Sequence, residues 1–271
     1  MPTTYIAWTG KDTKLNVQPL PTGQKATLDQ TSNQSPSLAF FNNRLFMAWT
    51  GTNGKLNVTS SADGVTWKDE DKKVLDQSSN VAPALIASSN VLSLVWTGTD
   101  GKLNLYYSLN GKDWVNQITL SQNSVLAPAS AAGPCQVQAV AWRDEDAILN
   151  VLSGIDIRMG PGTGLSETSN QVPALAFFQG LLYIAWTDIT GRLNVLSSSN
   201  GINFGNLNSL SYTSANGPAL AASSGSLSLA WTDSNTNLKV VSSTAGTNFG
   251  TPVTLDEKSK LTPAIATGSF S

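Results

Sequence analysis

The 271-residue chain has no histidine, one cysteine (Cys135) and only four arginines: Arg44, Arg143, Arg158 and Arg192. Histidine is the commonest general base and metal ligand near neutral pH, so its absence removes every histidine-dependent triad. A lone cysteine leaves no internal disulfide framework. Charged residues make up 13% of the chain, and 16 basic against 18 acidic side chains give a net charge of −2. Capture of nucleic acid needs clustered lysine and arginine, which this balance does not supply. No apolar run reaches the ~20 residues of a membrane span. The N-terminal residues show no basic stretch leading into an apolar one, so no signal peptide is expected either. No cofactor or metal is implied, and neither compartment nor oligomeric state can be read.

What the chain does have is repetition. Six tryptophans, Trp8, Trp49, Trp96, Trp142, Trp186 and Trp231, each close an alternating apolar stretch such as Leu182-Tyr183-Ile184-Ala185-Trp186. Five of these run on into Leu-Asn, at Asn16, Asn57, Asn104, Asn150 and Asn194; the sixth has Leu238-Lys239. Prolines 36, 83, 128, 173, 218 and 263 each open a small apolar run. Each is preceded four positions earlier by serine (Ser32, Ser79, Ser124, Ser169, Ser214, Ser259) and eight earlier by leucine (Leu28, Leu75, Leu120, Leu165, Leu210, Leu255). Four short period-two runs separated by turn signals, in a repeat of roughly 45 residues, describe one propeller blade.

The expected fold is all-β: a six-bladed β-propeller of four-stranded antiparallel blades in one domain. The C-terminal run Ala264-Ile265-Ala266 has no partner after it, and the N-terminal run ending in Trp8 has none before it. The ring should therefore close by joining the last strand to the first three. Blades are expected at about 264–271 plus 1–35, then 36–82, 83–127, 128–172, 173–217 and 218–262.

A further motif, Ser61-Ala62-Asp63-Gly64-Val65-Thr66-Trp67, has weaker copies ending in Trp114, Phe204 and Phe249. It resembles a shortened Asp box of the sialidase-type propellers. That resemblance implies a folding device between the third and fourth strands, on the face away from any catalytic site. Asp63 and Trp67 are accordingly expected to matter for stability and not for ligand affinity. Sialidases of this kind hold a carboxylate with three arginines and use a Tyr–Glu pair plus an acidic residue. Here the arginines fall in the wrong places, with Arg44 in the turn before a tryptophan strand. The acidic run Asp144-Glu145-Asp146 is expected to be a solvated hairpin tip.

Functional candidates therefore come from the face opposite the boxes. Six residues before each proline stand Gln30, Gln77, Gln122, Glu167, Tyr212 and Glu257, expected in the loops that lead to the next blade. Beside them we place Trp8, Trp49, Trp96, Trp186 and Trp231, whose phase points to packing between blades but whose ring edges are expected to reach the groove rims. Thr50 and Thr97, in the turns after two of those tryptophans, complete the set. Polar groups beside an aromatic are what a saccharide needs. The layout resembles the six-bladed propeller lectins, and the resemblance implies non-catalytic, multivalent binding of glycans in inter-blade grooves. About three good sites are expected, on the glutamine-bearing side. A protein-interaction scaffold using the same face is the alternative, and a glycoside hydrolase ranks behind both.

Overall fold

The computed structural model describes residues 2–155 and 158–270. Six antiparallel sheets form the six blades, and successive strands within a sheet are hydrogen-bonded neighbours. Closure occurs where the sequence requires it. The strand Ala264–Gly268 pairs with Thr3–Thr9 in the register Ile6↔Ile265 and Ala7↔Ala264, and Lys14–Pro19 and Ala26–Thr31 complete the first blade. The fourth blade departs from the pattern: Thr163–Thr168 and the short Arg158–Met159 both pair with its long third strand Ile148–Ile155.

Each tryptophan strand is the second of its blade and is covered on both faces, because a blade packs against a neighbour on either side. Odd and even positions are therefore both buried, as in Arg44–Thr50 after its first residue. The hydrophobic clusters accordingly lie at the junctions: Tyr5, Ala7 and Leu28 of the first blade pack with Leu45, Met47 and Trp49 of the second.

The repeated asparagine has a structural cause. In all six blades the pairing between third and outer strands shifts register at this point. A β-bulge leaves ladder groups unpaired. In five blades the asparagine Nδ2 donates to the carbonyl two residues earlier, at 2.8–3.0 Å. Lys239 in the sixth blade instead donates to Thr254 Oγ1 at 2.7 Å.

The serine marker links blades. Its Oγ donates to the carbonyl of the residue after the next blade's tryptophan: Ser32 to Thr50, Ser79 to Thr97, Ser124 to Arg143, Ser169 to Thr187 and Ser214 to Thr232, at 2.7–3.2 Å. Ser259 makes the same bond to Thr9 at 3.0 Å, across the closure. The prolines that follow ring the mouth of a central cavity of about 270 Å3.

The Ser-x-Asp-Gly turn of the second blade is self-contained. Asp63 Oδ1 accepts from the N–H groups of Val65 and Thr66 at 2.8 and 2.7 Å, and Oδ2 from the Thr66 hydroxyl at 2.8 Å. Gly64 takes a left-handed φ of 75°, which a side chain would resist. Desolvation pushes the Asp63 carboxyl upward, but the donors from Thr66, Val65 and Ser61 outweigh it and hold the group well below the usual carboxylate range. A depressed native pKa stabilises fully above the unfolded value of about 4 and is lost as pH falls towards the native one. The melting-temperature gap between the parent and Asp63→Ala should therefore be widest at neutral pH and narrow steadily below pH ~4. A gap that stays constant on acidification would show that the charge is not what the turn uses.

Candidate functional site

Gln30, Gln77, Gln122, Glu167, Tyr212 and Glu257 do not lie in loops. Each is the penultimate residue of its blade's outer strand, as Gln30 in Ala26–Thr31 and Gln77 in Lys73–Ser78. Period-two alternation puts each on the same side as the leucine marker two residues earlier, towards the next blade. Tyr212 shows the geometry: its ring stacks on Trp231 of the following blade at 5.2 Å and 18°, and its hydroxyl donates to Gly250 O at 2.6 Å. At this junction an aromatic residue of one blade thus covers the strand tryptophan of the next.

The tryptophan assignment needs correction. Trp8, Trp49, Trp96, Trp186 and Trp231 are between 1 and 3% exposed, so none offers a ring face to a sugar. Flanking blades enclose both sides of the second strand, and packing uses the whole ring. Thr50 and Thr97 are corrected likewise. Their hydroxyls donate to Val81 O at 2.6 Å and Leu126 O at 2.7 Å, and both residues are buried. Thr9, Thr187 and Thr232 make the corresponding bonds, so this threonine ties its blade's second strand to the loop that leaves the same blade. Arg143 replaces it in the fourth blade and donates from Nε to Ser169 O at 3.0 Å. Asp144 is likewise occupied: its carboxylate accepts from Ile148 N–H and Asn150 Nδ2, both at 2.9 Å, which builds the hairpin tip.

The rim residues differ in what they have free. Glu257 is paired with Lys25 at 2.7 Å, and Glu167 accepts from Ser166 at 3.2 Å. The side-chain amides of Gln77 and Gln122 make no hydrogen bond among the described residues. Gln30 sits in a denser arrangement. Its Oε1 accepts from Lys72 Nζ at 2.8 Å and its Nε2 approaches Asp69 Oδ1 at 3.4 Å. Together with Trp67, Lys68, Thr27 and Thr59 these residues line a groove of about 210 Å3 between the first and second blades.

Sequence reasoning missed three residues there. Trp67 was assigned to the folding turn alone, yet its half-buried ring lines the same groove as Gln30. Asp69 and Lys72 come from a single 3₁₀ turn, Asp69–Asp71, and the residue after it. Arg44 pins that turn, reaching Asp71 at 2.9 Å while Nε donates to Ser60 Oγ at 3.0 Å. A signal was available in the spacing. Eight residues separate Trp67 from the leucine marker Leu75, against six for Trp114–Leu120, Phe204–Leu210 and Phe249–Leu255.

The chain matches no family model and no curated protein. Its fold does match solved structures. The BP39L lectin of Burkholderia pseudomallei superimposes with a TM-score of 0.64 at 16% identity, covering 93% of this chain and 81% of that one. A lectin of Aleuria aurantia, described as a six-bladed propeller with a novel fucose recognition mode, gives 0.67 at 11% identity and covers 93% and 95%. The likeness is one of fold. TolB of Acinetobacter baumannii also gives 0.67, at 12% identity, covering 97% of this chain and 66% of its own. Ring shape alone therefore does not choose a ligand, and the groove chemistry has to.

Proposed function

We propose that this protein binds carbohydrate without transforming it, in the grooves between blades, with the groove of the first and second blades as its principal site. The observation that carries this reading is the lining of that groove. A lysine, an amide and a carboxylate stand beside a half-buried indole, in a volume of about 210 Å3. A sugar offers hydroxyls that both donate and accept, together with an apolar C–H face. The groove supplies an ammonium donor, an amide that does both, a carboxylate acceptor and an aromatic surface. The free amides of Gln77 and Gln122 are the second and third candidates, in keeping with a multivalent surface. The Aleuria lectin, which has been described in complex with α-methyl-L-fucoside, makes that glycoside the first probe. The resemblance of Ser61–Trp67 to an Asp box remains part of this reading as a stabilising turn, now with Trp67 serving the groove as well.

The expected affinity for a monosaccharide at one groove is near the millimolar range, about −4 kcal/mol, with avidity on a glycan-coated surface adding the rest. In titration calorimetry Lys72→Ala and Trp67→Ala should each weaken the principal site by about tenfold, or roughly 1.4 kcal/mol. Gln77→Ala should lower the stoichiometry by one. If a glycan array and the titration show no saturable binding, or if these variants bind like the parent, the reading fails.

A further inference from the structure

A second groove opens at a different blade junction. Three residues before each strand tryptophan stand Tyr5, Phe46, Ser93, Ala139, Tyr183 and Ser228 in turn. This position faces the next blade, and where it is aromatic the following blade's turn glycine lies against the ring. A methyl group on Gly64 would overlap Tyr5, one on Gly111 would overlap Phe46, and one on Gly246 would overlap Tyr183. Ring and turn are thus a matched pair across each of these three junctions. Where serine holds the position, in the third and sixth blades, the next blade has no such turn. Between the third and fourth blades Ser93 is met by the buried Gln138 at 3.5 Å, which fills the space.

The junction of the fourth and fifth blades is the exception: it keeps the turn and lacks the ring. Ala139 stands where a tyrosine or phenylalanine would, and the nearest group over Gly201 of the fifth blade is the small Ser153 hydroxyl, 2.9 Å from where a methyl group on that glycine would sit. A groove of about 410 Å3 opens there, lined by Phe177, Val137, Leu182, Ser153 and Gly201 among others. A cavity of roughly 150 Å3 already suffices to hold benzene. The wall is also prepared for a ring. Phe40, the counterpart of Phe177 in the second blade, packs edge-to-face on Tyr5 at 5.9 Å and 61°. Phe177, partly buried against the core of its blade and Gly133, has no such ring partner among the described residues.

We propose that this groove binds the planar ring of a small phenolic ligand, in the position that Tyr5, Phe46 and Tyr183 occupy at the homologous junctions. Gly201 forms the floor under the ring, as Gly64 does under Tyr5, once the Ser153 hydroxyl has turned to another rotamer. Phe177 supplies the edge-to-face neighbour, as Phe40 does. The phenol hydroxyl points at the Asn200 carbonyl, as the Tyr5 hydroxyl donates to Asp63 O at 3.5 Å. This site shares no residue with the carbohydrate grooves and does not depend on them.

The test uses p-cresol, which is the tyrosine side chain itself, titrated into the full chain and followed by ligand-observed NMR. Saturable binding is expected, weaker for cyclohexanol, which has similar size without the aromatic quadrupole. Ala139→Tyr places the chain's own ring in the groove and should abolish p-cresol binding while raising the melting temperature. Phe177→Leu keeps the groove and removes the edge-to-face partner, which should weaken p-cresol by about threefold to tenfold. Circular dichroism shows whether each variant is folded, and Phe177→Leu decides the matter if Ala139→Tyr is not. No saturable binding by the parent, or binding unchanged in the folded variants, overturns the proposal. Titration of α-methyl-L-fucoside should be the same in the parent and both variants.

Discussion

Deleting residues 263–271 should abolish the single cooperative unfolding transition of the ring. The missing segment is the inner strand of the first blade, and it makes contacts no other segment can replace. Ile265, Ala264 and Ala266 are buried, and the strand is in register with Thr3–Thr9 over five residue pairs. Phe270 packs against both Tyr5 and Phe40, at 5.8 and 5.2 Å. Without the strand, Thr3–Thr9 becomes the bare inner edge of the first blade, and the packing of Ile265 with Ala219 and Ala221 of the sixth blade is lost. Burying one isoleucine stabilises by about 1.5–3 kcal/mol, and several side chains are uncovered together. The expected loss, on the order of 5 kcal/mol or more, is comparable with the whole stability of an ordinary domain. Thermal and denaturant unfolding followed by tryptophan fluorescence would show it. A truncated chain that melts like the parent would refute the closure.

Trp49→Ala should cost about 3–5 kcal/mol of stability and leave the carbohydrate affinity of the folded molecules unchanged. Its ring is 2% exposed and packs among Leu28, Leu38, Leu45 and Met47 at the junction of the first two blades. Removing it opens a cavity beneath the principal groove without touching the groove's polar rim. The contrast with Trp67→Ala is the informative part. That ring is only partly buried and lines the groove, so its loss should be read in affinity as well as in melting temperature. The measurement is a denaturant midpoint for each variant, with titration at a temperature where both are folded. Loss of binding in folded Trp49→Ala would return the strand tryptophans to the site.

The architecture was legible because the same physical demand recurs in every blade and leaves the same residue each time. A bulge asks for asparagine, a blade junction asks for the serine latch, and the second strand asks for tryptophan. The candidate site was less legible because repetition is a poor guide to it. Trp49 repeats because it packs between blades and Thr50 because it ties its strand to the loop leaving the blade, and their repetition made them look like multiple sites. The groove of the first two blades is instead built by what happens once: two extra residues after Trp67, a turn carrying Asp69, and the placement of Lys72 against Gln30. Only the packing of the first blade on the second brings Gln30 within reach of residues some 40 positions later. The rim glutamines were found from their spacing, but the strand that carries them was mistaken for a loop, since polar residues just before a serine turn look like the loop itself.

The pairing of Tyr5 with Gly64, Phe46 with Gly111 and Tyr183 with Gly246 has a consequence for how such a ring can be rebuilt. The two halves of each pair lie on neighbouring blades, so a whole blade moved into another ring carries half of one pair and half of the next. Transplanting the fifth blade alone would bring Tyr183 without its glycine, and would seat Gly201 against whatever the new neighbour presents. A segment that carries a pair whole must run from the second strand of one blade to the turn of the next, as from Tyr183 to Gly246, which is longer than one repeat. The pairs interleave along the chain, Phe46 lying between Tyr5 and Gly64, so the exchangeable part of this molecule is larger than a blade.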